Sequence, residues 1–109
     1  CVLNYPTLAK NASLDRIVEM QNRFPGIAIG YSDHTKPEDS IQAIQIAHSL
    51  GAQVFEKHFT WDTSGIGNDH YHSFDELGAR QMITLLNKAF ILRNFNEDEF
   101  LSALDYLYN

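Results

Sequence analysis

Ile27-Ala28-Ile29-Gly30-Tyr31-Ser32-Asp33-His34-Thr35-Lys36-Pro37-Glu38 is the stretch that decides the fold. An isoleucine-rich run ends in polar residues. Thr35 to Glu38 then have capping-box spacing with a proline in the first turn. This reads as a strand (27–31) passing through a short loop into a helix. The helix carries Ile41, Ile44, Ile46, Ala47 and Leu50, and Gly51 suits its C-terminal stop. The same grammar recurs on both sides. Upstream, residues 1–5 form an apolar run stopped by Pro6, which has no ladder donor. Residues 13–23 follow as a helix with Ser13 as N-cap and an apolar stripe of Leu14, Ile17, Val18 and Met20. Phe24-Pro25-Gly26 is a break.

Downstream, residues 53–59 read as a third strand and residues 61–72 as a loop. Ser73-Phe74-Asp75-Glu76 is a second capping box. It opens a long helix with Leu77, Met82, Ile83, Leu85, Leu86, Ala89 and Phe90 at apolar positions. Asn96 to Glu99 repeat the cap logic ahead of an amphipathic face of Phe100, Leu101, Leu104, Leu107 and Tyr108. The order βα-βα-βα-α predicts an α/β fold with a parallel sheet and helices packed outside it. Three such units make a small open sheet or part of a (β/α)8 barrel.

Side chains alternate along a strand. Ile27, Ile29 and Tyr31 therefore share one face, while Ala28, Gly30, Ser32 and His34 share the other. Along the third strand, Val54, Glu56 and His58 oppose Phe55, Lys57 and Phe59. Leu3 and Tyr5 share a face of the first run. His34 and His58 thus close equivalent strands on a common inner face, with Ser32 and Glu56 beside them. Strand C-terminal ends are where such folds place active sites, and two converging imidazoles can hold a divalent metal.

Each residue also has a plainer reading. A strand-end histidine can simply hydrogen-bond, Glu56 and Lys57 can form ion pairs, and Asp33 can shape the loop. Tyr5 can pack at a strand end. His48 lies inside a helix. His70 and His72 are further possible donors, but loop histidines are commonly solvated. Gly67-Asn68-Asp69 can be a turn and does not belong to a dinucleotide-binding glycine fingerprint.

Composition narrows the class. Of 109 residues, 44% are hydrophobic and the formal charge is −6, which suits a soluble globular domain. The acidic balance opposes nucleic-acid binding, which needs a basic face. No apolar run reaches the roughly 20 residues that span a bilayer. The single cysteine, Cys1, has no internal partner for a disulfide, so a reduced cytoplasm is the expected compartment. The abrupt opening on an apolar run suggests a piece of a longer chain.

Cys1-Val2-Leu3-Asn4-Tyr5-Pro6-Thr7, Gly30-Tyr31-Ser32-Asp33-His34-Thr35, Gly51-Ala52, Glu56-Lys57-His58-Phe59-Thr60 and Gly67-Asn68-Asp69-His70 occur in this order. Over residues 1–90 the chain resembles the C-terminal part of the catalytic barrel of the sialic acid synthases, the N-acetylneuraminate synthase family. The resemblance implies the last three βα units of a (β/α)8 TIM-type barrel (residues 1–93), followed by a C-terminal helix (residues 94–109). It implies a carbohydrate-biosynthesis transferase that joins phosphoenolpyruvate to N-acetylmannosamine or a related N-acyl hexosamine. The products are a nine-carbon 2-keto sugar acid and phosphate.

By the same resemblance, His34 and His58 hold a divalent cation, most often Mn2+, with Mg2+ or Co2+ as alternatives. Ser32 contacts phosphoenolpyruvate, and Tyr5 and Asp69 line the sugar and metal region. Glu56, beside His58, is the candidate for proton transfer or water orientation. The full-length parent is expected to be a homodimer, without nucleic-acid or membrane partners.

Two departures matter. Leu3 stands where many relatives have a polar residue, and parity turns the adjacent Asn4 to the other face. The lysines that the family takes from earlier strands, and its C-terminal antifreeze-like domain, have no counterpart here. The 109 residues alone are therefore expected to turn nothing over. The alternatives are a legionaminic, pseudaminic or spore-coat sugar acid synthase, or an inactive metal- or partner-binding module.

Overall fold

A computed structural model describes residues 1–93 and 97–108. Two four-residue strands, β1 (Gly30–Asp33) and β2 (Val54–Lys57), pair in parallel, with Ser32 opposite Glu56 and Asp33 opposite Lys57. The helices are α1 (Arg16–Arg23), α2 (Pro37–Ser49), α3 (Asn68–Tyr71), α4 (Glu76–Arg93) and α5 (Glu97–Tyr108). A single 3-10 turn, Ala9–Asn11, precedes α1. The architecture is α/β, a parallel pair with helices against one face, consistent with part of an unclosed barrel. No described helix is long and apolar enough to cross a membrane.

The expectation of three complete βα units is corrected. Residues 1–5 form no strand, and Leu3 and Tyr5 do not alternate along one. Pairing in this segment is limited to one parallel bridge, Thr7 to Thr35, where the Thr7 N–H donates to the His34 carbonyl at 2.8 Å. An apolar run supplies β propensity, but propensity becomes a strand only where a neighbour completes the ladder. A second bridge, Phe59 to Phe74, continues the pairing beyond β2. Four extended segments therefore meet at the carboxyl ends of the strands.

Caps also differ from expectation. Ser13 has positive φ and makes no cap, and α1 starts only at Arg16. Pro37 opens α2 as predicted, but the Thr35 hydroxyl is committed to Asp33 and does not cap the helix. Asp75, not Ser73, caps α4 by accepting from the Gly78 N–H at 2.9 Å. The predicted loop of residues 61–72 contains α3. Gly51 ends α2 at φ 108°, a left-handed geometry that glycine adopts without strain. The expected Asn96 cap lies outside the described residues.

Parity is observed where β1 and β2 exist. Ile29 and Tyr31 are buried with Ile17 of α1 and Ala43, Ile44 and Ala47 of α2. Ile27, expected beside them, precedes the strand and is exposed. The opposite face is open, with Val54 61% exposed. Leu101, Tyr106 and Leu107 of α5 remain exposed too, so these side chains do not cover it.

On the helix-facing side the Lys57 ammonium meets Asp33 Oδ2 at 2.8 Å, with both side chains essentially inaccessible (2% and 0%). Lys57 also donates to the Thr35 carbonyl at 3.2 Å. The Tyr31 hydroxyl donates to Asp33 Oδ1 at 2.6 Å, and the Thr35 hydroxyl to the same oxygen at 2.8 Å. Burial pushes the Asp33 carboxyl up. Hydrogen bonds from Lys57 and Tyr31 and the lysine charge outweigh that effect and hold it below its ordinary range. Burial, then Asp33 itself, pushes the Tyr31 hydroxyl well above its usual value.

Removing one partner from a buried pair strands a charge. Asp33→Asn should destabilise the protein by about 3–5 kcal/mol in urea unfolding monitored by circular dichroism. A loss below about 1 kcal/mol would show that the pair is not structural. Because the folded-state value is depressed, the carboxylate's contribution is complete above about pH 4 and lost as pH falls through the lowered value. Asp33→Asn should therefore flatten the acid limb of the stability curve.

Candidate metal centre

The bridges that end the sheet also build the site. Lys57 ties down Asp33 and Thr35, the residues on either side of His34. His34 Nδ1 lies 3.0 Å from the Val2 carbonyl oxygen, which can only accept. Nδ1 therefore carries the proton in the neutral ring, and the Nε2 lone pair faces inward. Its neighbour there is Ser32 Oγ, at 3.4 Å. The single hydroxyl proton of Ser32 goes to Glu56 Oε1 at 2.8 Å across the parallel register. The Nε2 lone pair is thus left without a strong donor.

His58 follows β2. Its carbonyl accepts from the Phe74 N–H at 2.8 Å, which lays residues 72–74 alongside it. Its ring sits 5.4 Å from His34 and 5.0 Å from His72, centroid to centroid. Tyr5 stacks obliquely over the group, 4.3 Å from His34, 6.0 Å from His58 and 5.3 Å from His72. Asp69 is exposed, with Oδ1 3.5 Å from His58 Nδ1 and 3.7 Å from His72 Nε2. The structure thus brings all six predicted residues, Tyr5, Ser32, His34, Glu56, His58 and Asp69, to one end of the strand pair.

It adds His72, which the sequence offered only as one possible loop donor. His72 is 1% exposed, and neither ring nitrogen has a hydrogen-bond partner. Leaving a buried polar atom unpaired costs about 1–3 kcal/mol. Burial, then the charges of His58 and Lys57, holds its pKa below the ordinary imidazole value against the pull of Asp69. His70, two residues earlier, instead meets Thr60 Oγ1 at 2.6 Å. Spacing alone could not separate these two histidines. The Phe74 position, read only as part of a cap, was the signal that residue 72 runs beside β2.

The donor set fits a divalent cation. Ligand atoms of His34, Glu56 and His58 lie within 4.8 Å of one another, as do those of His58, Asp69 and His72. Neutral imidazoles and carboxylates suit zinc, manganese, cobalt and related ions, and the two groups share His58.

Comparison with known proteins identifies the family. Residues 1–95 match the NeuB family. The N-acetylneuraminate-9-phosphate synthase of Drosophila melanogaster is 36% identical over 113 aligned positions, covering 94% of this chain and 30% of that protein. The crystal structure of the Bacillus subtilis spore coat polysaccharide biosynthesis protein superposes with a TM-score of 0.76 at 33% identity, over 84% of this chain and 25% of that one. An N-acetylneuraminic acid synthetase from Leptospira borgpetersenii gives 0.74 at 27% identity, over 97% and 37%. The chain therefore spans only 25–37% of the length of these relatives. A family match over most of the chain, together with these likenesses, leads to one conclusion: the chain belongs to the NeuB family.

Proposed function

We propose that this chain supplies the metal-binding part of the active site of a phosphoenolpyruvate-dependent, sialic-acid-type synthase, a cytoplasmic (β/α)8-barrel transferase. Phosphoenolpyruvate is condensed with N-acetylmannosamine or a related N-acyl hexosamine, giving a nine-carbon 2-keto sugar acid and phosphate. The observation that carries the reading is the convergence of His34 and His58 with the Ser32–Glu56 pair at the strand ends. Relatives named for sialic, legionaminic and pseudaminic acid synthesis leave the acceptor sugar open within this class.

In the reaction, C3 of phosphoenolpyruvate bonds to the aldehyde carbon of the open-chain sugar, water adds at C2, and the C–O bond to phosphate breaks. A divalent ion, manganese in this reading, supplies a Lewis acid for the aldehyde oxygen when bound. His34 and His58 would hold it through ring nitrogens, and the Val2 carbonyl fixes the His34 tautomer from behind. Tyr5 walls the site with an aromatic face over the imidazoles. Asp69 projects a carboxylate outward, where sugar hydroxyls can donate to it. Ser32 would contact phosphoenolpyruvate. Glu56, which accepts from Ser32, would orient a water or move a proton.

The test is phosphate release in the full-length protein supplied with Mn2+, phosphoenolpyruvate and N-acetylmannosamine, then with other N-acyl hexosamines. Turnover lost on chelation and restored by Mn2+ is expected, and no metal-dependent release with any of these sugars would refute the reading. His58→Ala should lower the rate at least about 100-fold, the upper end of what outer metal partners contribute. Glu56→Gln should cut kcat by about 100-fold or more while metal affinity changes far less. A matching fall in metal affinity would instead make Glu56 a ligand.

A further inference from the structure

We propose that His72 is a third imidazole donor of this centre, binding the same divalent ion as His34 and His58 with Asp69 beside it. The inference rests on the reading that His34 and His58 hold a metal, and it goes beyond that pair. His72 is buried with both ring nitrogens unpartnered, although the nearby His70 has a short bond to Thr60. Its location is not that of a loose loop. The Phe59–Phe74 bridge and the bond from the Phe74 N–H to the His58 carbonyl seat it against β2.

The separations around Asp69 carry the argument. Oδ1 lies 3.5 Å from His58 Nδ1 and 3.7 Å from His72 Nε2. Both are too long for a good hydrogen bond. Both are close to the roughly 3.4 Å edge of a tetrahedron whose corners lie about 2.1 Å from a central ion. One carboxylate oxygen thus sits about equally far from two imidazole nitrogens without bonding either well, the spacing of donors around a common ion. His34 reaches the centre from the Ser32 and Glu56 side and His72 from the Asp69 side. His34 and His72 fall in different donor groups that share only His58, and their rings form the widest pair, at 6.3 Å, so holding one ion draws these two imidazoles together. A third imidazole has a chemical consequence. It moves a site away from the harder Mn2+ and toward Co2+ or Zn2+, which favour nitrogen donors.

The experiment uses the full-length protein with Mn2+ alone and Co2+ alone. Pulsed electron paramagnetic resonance of bound Mn2+ should count three coupled imidazole nitrogens in the wild type and two in His72→Ala. Calorimetric titration should show His72→Ala weakening Co2+ binding at least about tenfold and Mn2+ binding less, so the preference for Co2+ falls. Two couplings in the wild type, or an unchanged Co2+/Mn2+ ratio, overturns the proposal. If His72→Ala does not fold, the wild-type count decides alone. His58→Ala separates the two readings. If it leaves affinity unchanged, the metal centre itself is refuted and this inference with it. If it weakens binding and His72→Ala does not, only the role of His72 falls.

Discussion

Lys57 holds the site together from the helix-facing side of the strand pair. Its ammonium is buried on the helix-facing side of β2 and binds the Asp33 carboxylate and the Thr35 carbonyl. Those residues flank His34, so the lysine fixes the turn that aims the imidazole. Parallel pairing places Asp33 opposite Lys57 and Ser32 opposite Glu56 in adjacent positions of one register. Because strand side chains alternate, one pair must be buried toward the helices while the other faces the open side. A one-residue slip of β2 alone would turn Glu56 toward the helices and Lys57 to the open face, breaking both pairs. The buried ion pair and its hydrogen bonds therefore set the chemistry of the face they do not touch.

Such a pair is a costly way to secure stability, since desolvating two charges consumes most of their attraction. Here the remaining valences are used. Asp33 accepts from Tyr31, Thr35 and Lys57, and Lys57 donates to Asp33 and Thr35. Satisfied networks of this kind make a local geometry rigid. Rigidity is useful at a centre whose donors must stay within a fraction of an ångström of one another.

The inner face was legible in the sequence because β1 and β2 obey strict alternation where they pair. Ser32, His34, Glu56 and His58 were placed together by parity and were found together. Residues 1–5 were not legible in the same way. Their apolar run fits a strand, but whether it pairs depends on neighbours that local sequence does not encode. Tyr5 still reaches His34, through the Thr7 bridge and not through strand alternation. His72 was obscured for a related reason. A cap motif and a short strand-like contact can share the same residues, and Ser73-Phe74-Asp75 carries both. The capping signal is local and visible, whereas the pairing of Phe74 with Phe59 is long-range.

The charge balance of the cluster bears on the proposed reaction. Neutral imidazoles with Glu56 and Asp69 nearby can offset a divalent cation and leave little net charge. Lys57, the lysine of the network described, is locked to Asp33 on the helix-facing side. Phosphoenolpyruvate carries a carboxylate and a phosphate, and in a low-dielectric site each needs nearby cations or N–H donors. This cluster offers mostly acceptors and metal ligands. In the proposed reaction it therefore suits the end where a sugar aldehyde is polarised, and the donors that hold the anionic substrate would come from elsewhere in the full-length protein. In that reading Ser32 would stand between the two. Its hydroxyl proton is held by Glu56, so it can donate to an incoming phosphoenolpyruvate oxygen only by releasing that carboxylate. The same exchange would free Glu56 to take a proton from water, coupling arrival of the anion to readiness of the base.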